Sequence, residues 1–305
     1  MVPSGDVAVV IPARNESDRI RATVTGAAGL PGVDLVLVVD DGSRDGTAAV
    51  AQDAGASVVR HSRSRGKAAA MESGAEAVRL LEARDLRPRP RHLLFLDGDL
   101  GQPAASAAPL TEPGRAGEAD MTIAVFANRV RQGGHGFVVA LSGAGIERAT
   151  GWRPAQPLNG QRCLTRAAFE AARPLAPGFG VETALTIDLL RRGMRVREVE
   201  VPLAHRATGT DWRAQVHRAR QFADVARALA VRQVAGRKPA TRGNRPSSRA
   251  PESKAGAPGS NGGPSEPRGV APGPSGVAPG PSGGAPGSSG VAPGSSGGES
   301  EPGRG

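Results

Sequence analysis

Apolar residues in the first half of the chain fall into short unbroken runs separated by longer polar or alanine-rich stretches. Residues 7–11 (VAVVI), 35–39 (LVLVV) and the head of 93–99 (LLFLDGD) are continuous and too short for helices, so they read as strands covered on both faces. Pro12 closes the first run, and Asn15 or Ser17 is placed to cap a helix through about residue 28. Residues 45–47 (DGT) open a second helix, 57–61 form a third, shorter strand, and 68–83 form an alanine-rich helix. A further strand is predicted over Met121–Phe126. Strands alternating with helix-length connections imply right-handed crossovers and an α/β fold: a doubly wound, Rossmann-like, mostly parallel sheet with helices on both faces.

The second half is less regular. Residues 131–136 (RQGGHG) read as a flexible loop and 137–149 as an apolar helix, and 158–164 (LNGQRCL) as an edge strand beside the site. Glu182 opens a helix in which Leu185, Ile187, Leu189 and Leu190 recur too densely for a surface position. Residues 196–203 mostly alternate, predicting a strand with one wet face. Residues 212–234 predict a helix with Trp212, Val216, Ala219, Ala223, Ala226 and Ala230 along one face.

Beyond residue 236 large apolar residues almost vanish, and four seven-residue units (GVAPGPS, GVAPGPS, GGAPGSS, GVAPGSS) run from 269 to 296. That period is too short to bury a core, so 236–305 reads as a disordered tail. The expected organisation is a folded domain over 1–235, with a nucleotide-binding half (1–126) and an acceptor half (127–235). Net charge is +10, of which the tail carries +4. A basic body suits nucleotides, phosphates or an anionic membrane surface. With no Tyr, two Trp and six Phe there is no stacking platform for bases, which argues against nucleic acid. Cys163 is the single cysteine, so an intrachain disulfide is excluded and a reducing compartment is the default. No leader-like or membrane-spanning run stands out, and the expectation is a cytoplasmic protein, with peripheral membrane contact compatible.

The chemistry gathers at strand ends, where ligands collect in open α/β sheets. Asp97 and Asp99, separated by Gly98, suit a divalent cation bridging to a diphosphate, with the glycine letting a ligand approach the backbone. Side chains alternate along a strand, so only one of Asp40 and Asp41 faces a given side.

Residues 9–17 (VVIPARNES), 38–47 (VVDDGSRDGT), 65–71 (RGKAAAM) and 94–100 (LFLDGDL) together resemble the nucleotide-sugar half of GT-A glycosyltransferases, family 2 in particular. That family includes polyprenyl-phosphate sugar synthases and glucosyl-3-phosphoglycerate synthases. The resemblance implies the GT-A fold and an inverting transfer from a UDP- or GDP-sugar to a polyprenyl phosphate or small phosphorylated acceptor. It implies Mg²⁺ or Mn²⁺ at Asp99, with His205 a further ligand and Asp97 on the ribose or sugar. Pro12, Ala13 and Glu16 would meet the nucleoside, Asp41 the base with Val39 lining it, and Lys67, Arg65, Arg129 and Arg206 the phosphates. Residues 178–182 (GFGVE) resemble a segment whose glutamate, here Glu182, lies against the transferred sugar or acts as a base. Residues 159–162 (NGQR) lie where acceptor contacts are expected. Where the polyprenyl-phosphate enzymes carry Gln or His two positions after the second Asp, this chain has Gly101, then Gln102. Two other readings compete: a sugar-1-phosphate nucleotidyltransferase, and a non-catalytic domain docking through its basic helix and tail. The oligomeric state is left open.

Overall fold

The computed structural model describes residues 6–126, 136–202 and 212–235; in the last stretch side chains are described for 221–232. The predicted tail, Arg129, His205 and Arg206 lie outside the described residues.

β1 (Val7–Ala13), β2 (Val33–Asp40), β3 (Ser57–Arg60), β4 (His92–Phe95), β5 (Met121–Phe126), β6 (Arg162–Leu164) and β7 (Val196–Val201) form one sheet in the order β3-β2-β1-β4-β6-β5-β7. β6 runs antiparallel to both its neighbours, and every other pairing is parallel. The helices are α1 (Ile20–Ala28), α2 (Thr47–Asp53), α3 (Lys67–Arg84), α4 (Glu112–Arg115), α5 (Gly136–Thr150), α6 (Arg166–Ala172), α7 (Val181–Arg191) and α8 (Trp212–Ala235). The chain leaves β1 toward β2 and β3, then returns to its other side for β4. The strand order therefore reverses at β1, and the crevice between the ends of β1 and β4 is where such a fold binds ligands.

Strand alternation divides the core. Val7, Val9, Ile11, Val38 and Leu94 pack beneath α1 and α2, whereas Ala8, Val10, Leu37, Val39, Leu93 and Phe95 pack beneath α3, α6 and α7. α7 is buried on both sides, with Leu185 and Leu189 toward the sheet and Ile187 toward Val225 and Leu229 of α8. That double burial is why its apolar residues recur so densely.

Several expectations are corrected. β1 does not stop at Pro12 but continues through Ala13. The Val10 carbonyl accepts from Leu96 N, so even-numbered residues of β1 turn their backbone toward β4, whose last paired residue is Phe95. Pro12 thus lacks its N–H where no ladder partner remains. α1 starts at Ile20, and neither Asn15 nor Ser17 caps it; Asn15, at φ 56°, instead clasps the β2–α2 loop through Ser43 Oγ and Arg44 N. β4 ends at Phe95, leaving Asp97 and Asp99 in the following loop. The strand at 162–164 is not an edge: it is inserted between β4 and β5. Among the described side chains of α8 the buried ones are Val225, Ala228 and Leu229, while Ala223 and Ala230 are exposed, because α5 and α7 cover the face that carries the first three.

Candidate active site

A cavity of about 520 Å³ opens at the strand ends, lined by Pro12, Ala13, Glu16, Asp41, Lys67, Asp97, Gly98, Asp99 and Glu182, with Phe179 and Val225 closing one side. Each loop that reaches it is tied down. Thr23 Oγ1 of α1 donates to the Gly98 carbonyl (3.0 Å) and accepts from Gly101 N (2.8 Å), which fixes the loop carrying Asp97 and Asp99. Glu16 N donates to Thr47 Oγ1 at the start of α2 (2.9 Å). Burial and then the nearby Asp99 raise the Glu16 pKa above the ordinary value, against the pull of Arg19.

Lys67, the first residue of α3, sets Nζ between Asp97 Oδ1 (2.7 Å) and Glu182 Oε1 (2.9 Å). Burial works against this ammonium, but the two carboxylates outweigh it and raise its pKa. The other Asp97 oxygen accepts from Gln161 Nε2 at 2.9 Å. Gly160 makes room for this arrangement, because a Cβ there would lie 2.4 Å from Lys67 Nζ and 2.9 Å from Asp97 Oδ2.

Glu182 stands in the first turn of α7, buried. Beneath it Arg162 is 1% exposed and donates from Nη1 to the Glu182 carbonyl and Thr186 Oγ1, from Nε to Asn159 O and from Nη2 to Pro157 O. Its burial lowers its pKa to about 10. From α8, Asp224 Oδ2 accepts the Phe179 N–H at 3.0 Å and holds the turn leading into Glu182. Residues 159–162 are therefore not an acceptor surface. Asn159 and Arg162 are engaged inside the protein, and Gln161 reaches the cavity's Asp97 rather than open solvent.

Asp40 and Asp41 divide as alternation requires. Asp40 is fully buried, accepting from Ser43 N with Arg60 Nε 3.2 Å away. Asp41 faces the cavity, but its carboxylate already accepts from His61 Nδ1 (2.7 Å), Arg65 N (2.8 Å), Ser64 Oγ (2.7 Å) and Gly66 N (2.9 Å). Burial pushes its pKa up, these bonds push it down, and the bonds win, leaving it at about 2. Asp41 thus clamps the loop before Lys67 to the end of β2. Val39 is fully buried beneath α3 and stands behind the cavity wall rather than in it. The residues that sequence reasoning missed are His61, Ser64, Thr23 and Asp224; His61 alone carried a signal, being a polar residue just past a strand.

Among the described residues, no group of three or more His, Cys, Asp or Glu is disposed to hold a metal. The donor set nevertheless fits a hard cation shared with a diphosphate. Glu16, Asp97 and Asp99 line the same cavity, and Asp99 adds to burial in raising the Glu16 pKa. One or two carboxylates plus phosphate oxygens are a usual Mg²⁺ or Mn²⁺ environment.

A switch-point crevice with acidic loop tips and a lysine suits a phosphorylated ligand. A family profile, Glycosyl transferase family 2, matches residues 8–151. Glycosyltransferase AglJ of Haloferax volcanii is 31% identical over 215 residues, covering 69% of this chain and 67% of that protein. Glucosyl-3-phosphoglycerate synthase of Mycolicibacterium paratuberculosis is 30% identical over 203 residues, 61% of this chain and 60% of that one. The Mycobacterium tuberculosis synthase in crystals with Mn²⁺, UDP and phosphoglyceric acid superposes with a TM-score of 0.58 at 26% identity, covering 74% of this chain and 78% of that one. The same enzyme with Mg²⁺ and UDP gives 0.56 at 26% identity, with the same coverage. The chain belongs to glycosyltransferase family 2. Sugar transfer is therefore its chemistry, and the nucleotidyltransferase and non-catalytic readings give way. Among the described residues no helix is long and apolar enough to cross a membrane.

Proposed function

We propose that this chain moves a sugar from a UDP- or GDP-sugar, UDP-sugar being favoured, to a phosphorylated acceptor, with Mg²⁺ or Mn²⁺ at Asp99. The observation that carries this is the convergence of Glu16, Asp41, Lys67, Asp97, Asp99 and Glu182 on one cavity. The UDP, cation and phosphoglyceric acid held by the structural neighbours support it.

The acceptor's phosphate oxygen attacks the anomeric carbon as the bond from that carbon to the diphosphate breaks, the electron pair leaving on the diphosphate oxygen. This single displacement inverts the anomeric configuration. The cation supplies neutralisation of the departing diphosphate. Glu16 accepts from ribose hydroxyls, and Asp97, fixed by Lys67 and Gln161, orients ribose or sugar. Lys67 stays protonated at any working pH, since Asp97 and Glu182 hold its pKa up, and its charge faces the diphosphate. An ionised phosphate acceptor needs no base, so Glu182 serves the sugar hydroxyls with the oxygen that Lys67 leaves open. Arg129, Arg206 and His205, outside the described residues, complete the phosphate and cation contacts in this reading.

The test incubates the full chain and Mn²⁺ with UDP-glucose or GDP-mannose and either 3-phosphoglycerate or a short polyprenyl phosphate, read by mass spectrometry. Proton NMR of the product reads the configuration. Cation-dependent transfer with inversion is expected. Absence of both transfer and donor hydrolysis overturns the donor assignment, and a retained configuration overturns the single displacement.

A further inference from the structure

Beside the donor cavity lies a second one of about 560 Å³, whose wall is built from the loops after β1, β2 and β3. The two share Arg14 and Ser64. Arg14, Arg44, Arg60 and Arg63 line the second cavity, and no aliphatic or aromatic hydrocarbon side chain does. Arg60 rests against the buried Asp40. Arg14, Arg44 and Arg63 have no side-chain hydrogen bond or ion pair among the described residues. Several arginines elsewhere are paired instead: Arg79, Arg115, Arg166 and Arg197 each meet a carboxylate. The nearest acids are turned away. Asp41 is saturated by its own loop, and Asp45 accepts from Thr47 and Ser17.

Gathering like charges around a concavity costs free energy that an anion bound there recovers. Guanidinium forks match the oxygens of a phosphate, and a cavity of this size accommodates the phosphate with part of its organic carrier. The donor's own diphosphate belongs near Lys67 and Asp99, neither of which lines this second cavity.

We propose that the arginine-lined cavity is a second phosphate-binding site, separate from the donor's diphosphate site, taking a phosphate group carried by a free small molecule or by an anionic lipid headgroup. Arg44 and Arg63 are the side chains to change, because both are exposed, unpaired and outside the donor cavity. Binding of radiolabelled inorganic phosphate to the full chain is compared with binding by Arg44→Ala/Arg63→Ala and by Lys67→Ala, and sedimentation is followed with phosphatidic acid vesicles and phosphatidylcholine vesicles. A loss of about tenfold or more in the double variant is expected from losing two charge-assisted contacts, and Lys67→Ala reports any binding at the donor's diphosphate site. Phosphate binding lost in the double variant assigns a free ligand, and selective loss of phosphatidic acid sedimentation assigns the headgroup. The proposal is overturned if neither probe binds the unaltered chain, if the double variant binds both undiminished, or if only Lys67→Ala loses binding. Failure here leaves the donor-site reading untouched, since no donor is used.

Discussion

The two halves of the domain deliver side chains to the cavity by different means. On the β1–β4 side each acidic group of the cavity sits within a few residues of a parallel strand's end: Glu16 after β1, Asp41 after β2, Asp97 and Asp99 after β4. On the β5–β7 side the one described acidic group, Glu182, is delivered by the first turn of a helix. That helix is placed by a buried arginine below and by an aspartate from α8 beside it. A strand end is positioned by the sheet ladder itself, whereas a helix end is positioned by whatever holds the helix. Substitution of a strand-end group that does not clamp a loop, such as Asp99, should therefore separate activity from stability, and substitutions in the second half should move both together.

The largest effect expected is at Asp99. Losing a carboxylate that anchors charge stabilisation of the leaving diphosphate removes several kcal/mol from the transition state, about a thousandfold in kcat. Asp99→Ala should do this with a melting temperature within about 1 °C of the parent, as surface changes away from the core rarely matter. Transfer rates and thermal melts together decide it, and a large drop in melting temperature would erase the distinction between the halves.

Arg162→Met should break the second half the other way. Methionine keeps much of the volume but leaves three carbonyls and the Thr186 hydroxyl without the guanidinium. Leaving a buried polar group without its partner costs about 1–3 kcal/mol, so a loss of about 4 kcal/mol and a melting temperature lower by about 10 °C are expected. Activity should fall in the same variant even well below its melting point, because the Glu182 backbone loses its anchor.

The contrast also accounts for what could be read from the sequence. Continuous apolar runs ending in Asp or Asp-Gly-Asp mark strand ends directly, so the parallel strands and the crevice carrying Asp97 and Asp99 were legible, whereas alternation left Asp40 and Asp41 undecided. Lys67 was expected to balance phosphate charge, but its bridge from Asp97 to Glu182 joins residues far apart in the chain and leaves no local pattern. Residues 159–162 were expected to contact the acceptor by position alone; Arg is rarely buried, and only its carbonyl partners reveal the place of Arg162. β6 was misplaced for a related reason. Three residues flanked by polar ones carry an edge-like signature, although tertiary insertion between β4 and β5 buries all three. On α8 the alanine stripe was the stronger pattern, but burial follows the face turned toward α5 and α7, which holds Val225, Ala228 and Leu229 and leaves Phe222 and Val231 exposed.

Asp41→Asn sharpens the comparison from the first half. The carboxylate's pKa of about 2 lies below the ordinary 3.8, so its stabilisation is complete above pH 3.8 and is lost as pH falls toward 2. The shift corresponds to about 2 kcal/mol at neutral pH. An asparagine would turn its N–H₂ toward one of two backbone donors, Arg65 N or Gly66 N, leaving that donor without an acceptor. Chemical denaturation at pH 7 and at pH 2 should show a gap of about 2 kcal/mol that closes in acid. A gap that persisted at pH 2 would show that the clamp acts through shape rather than charge.

The smallest effect tests whether α8 contributes to the position of Glu182. Asp224→Ala removes one hydrogen bond to Phe179 N, worth about 1 kcal/mol and about 3 °C in melting temperature. Gly178 provides the control. It sits at φ +67°, and a Cβ there would fall 2.2 Å from Asp224 Oδ2. Gly178→Ala alone therefore suffers both a left-handed backbone and a collision, whereas in the Asp224→Ala background the collision is gone and only the backbone cost of about 1 kcal/mol remains. The second substitution should thus be markedly milder after the first. If the two costs simply add, the aspartate is not pressed against this turn, and α8 covers the cavity without setting the helix that delivers Glu182.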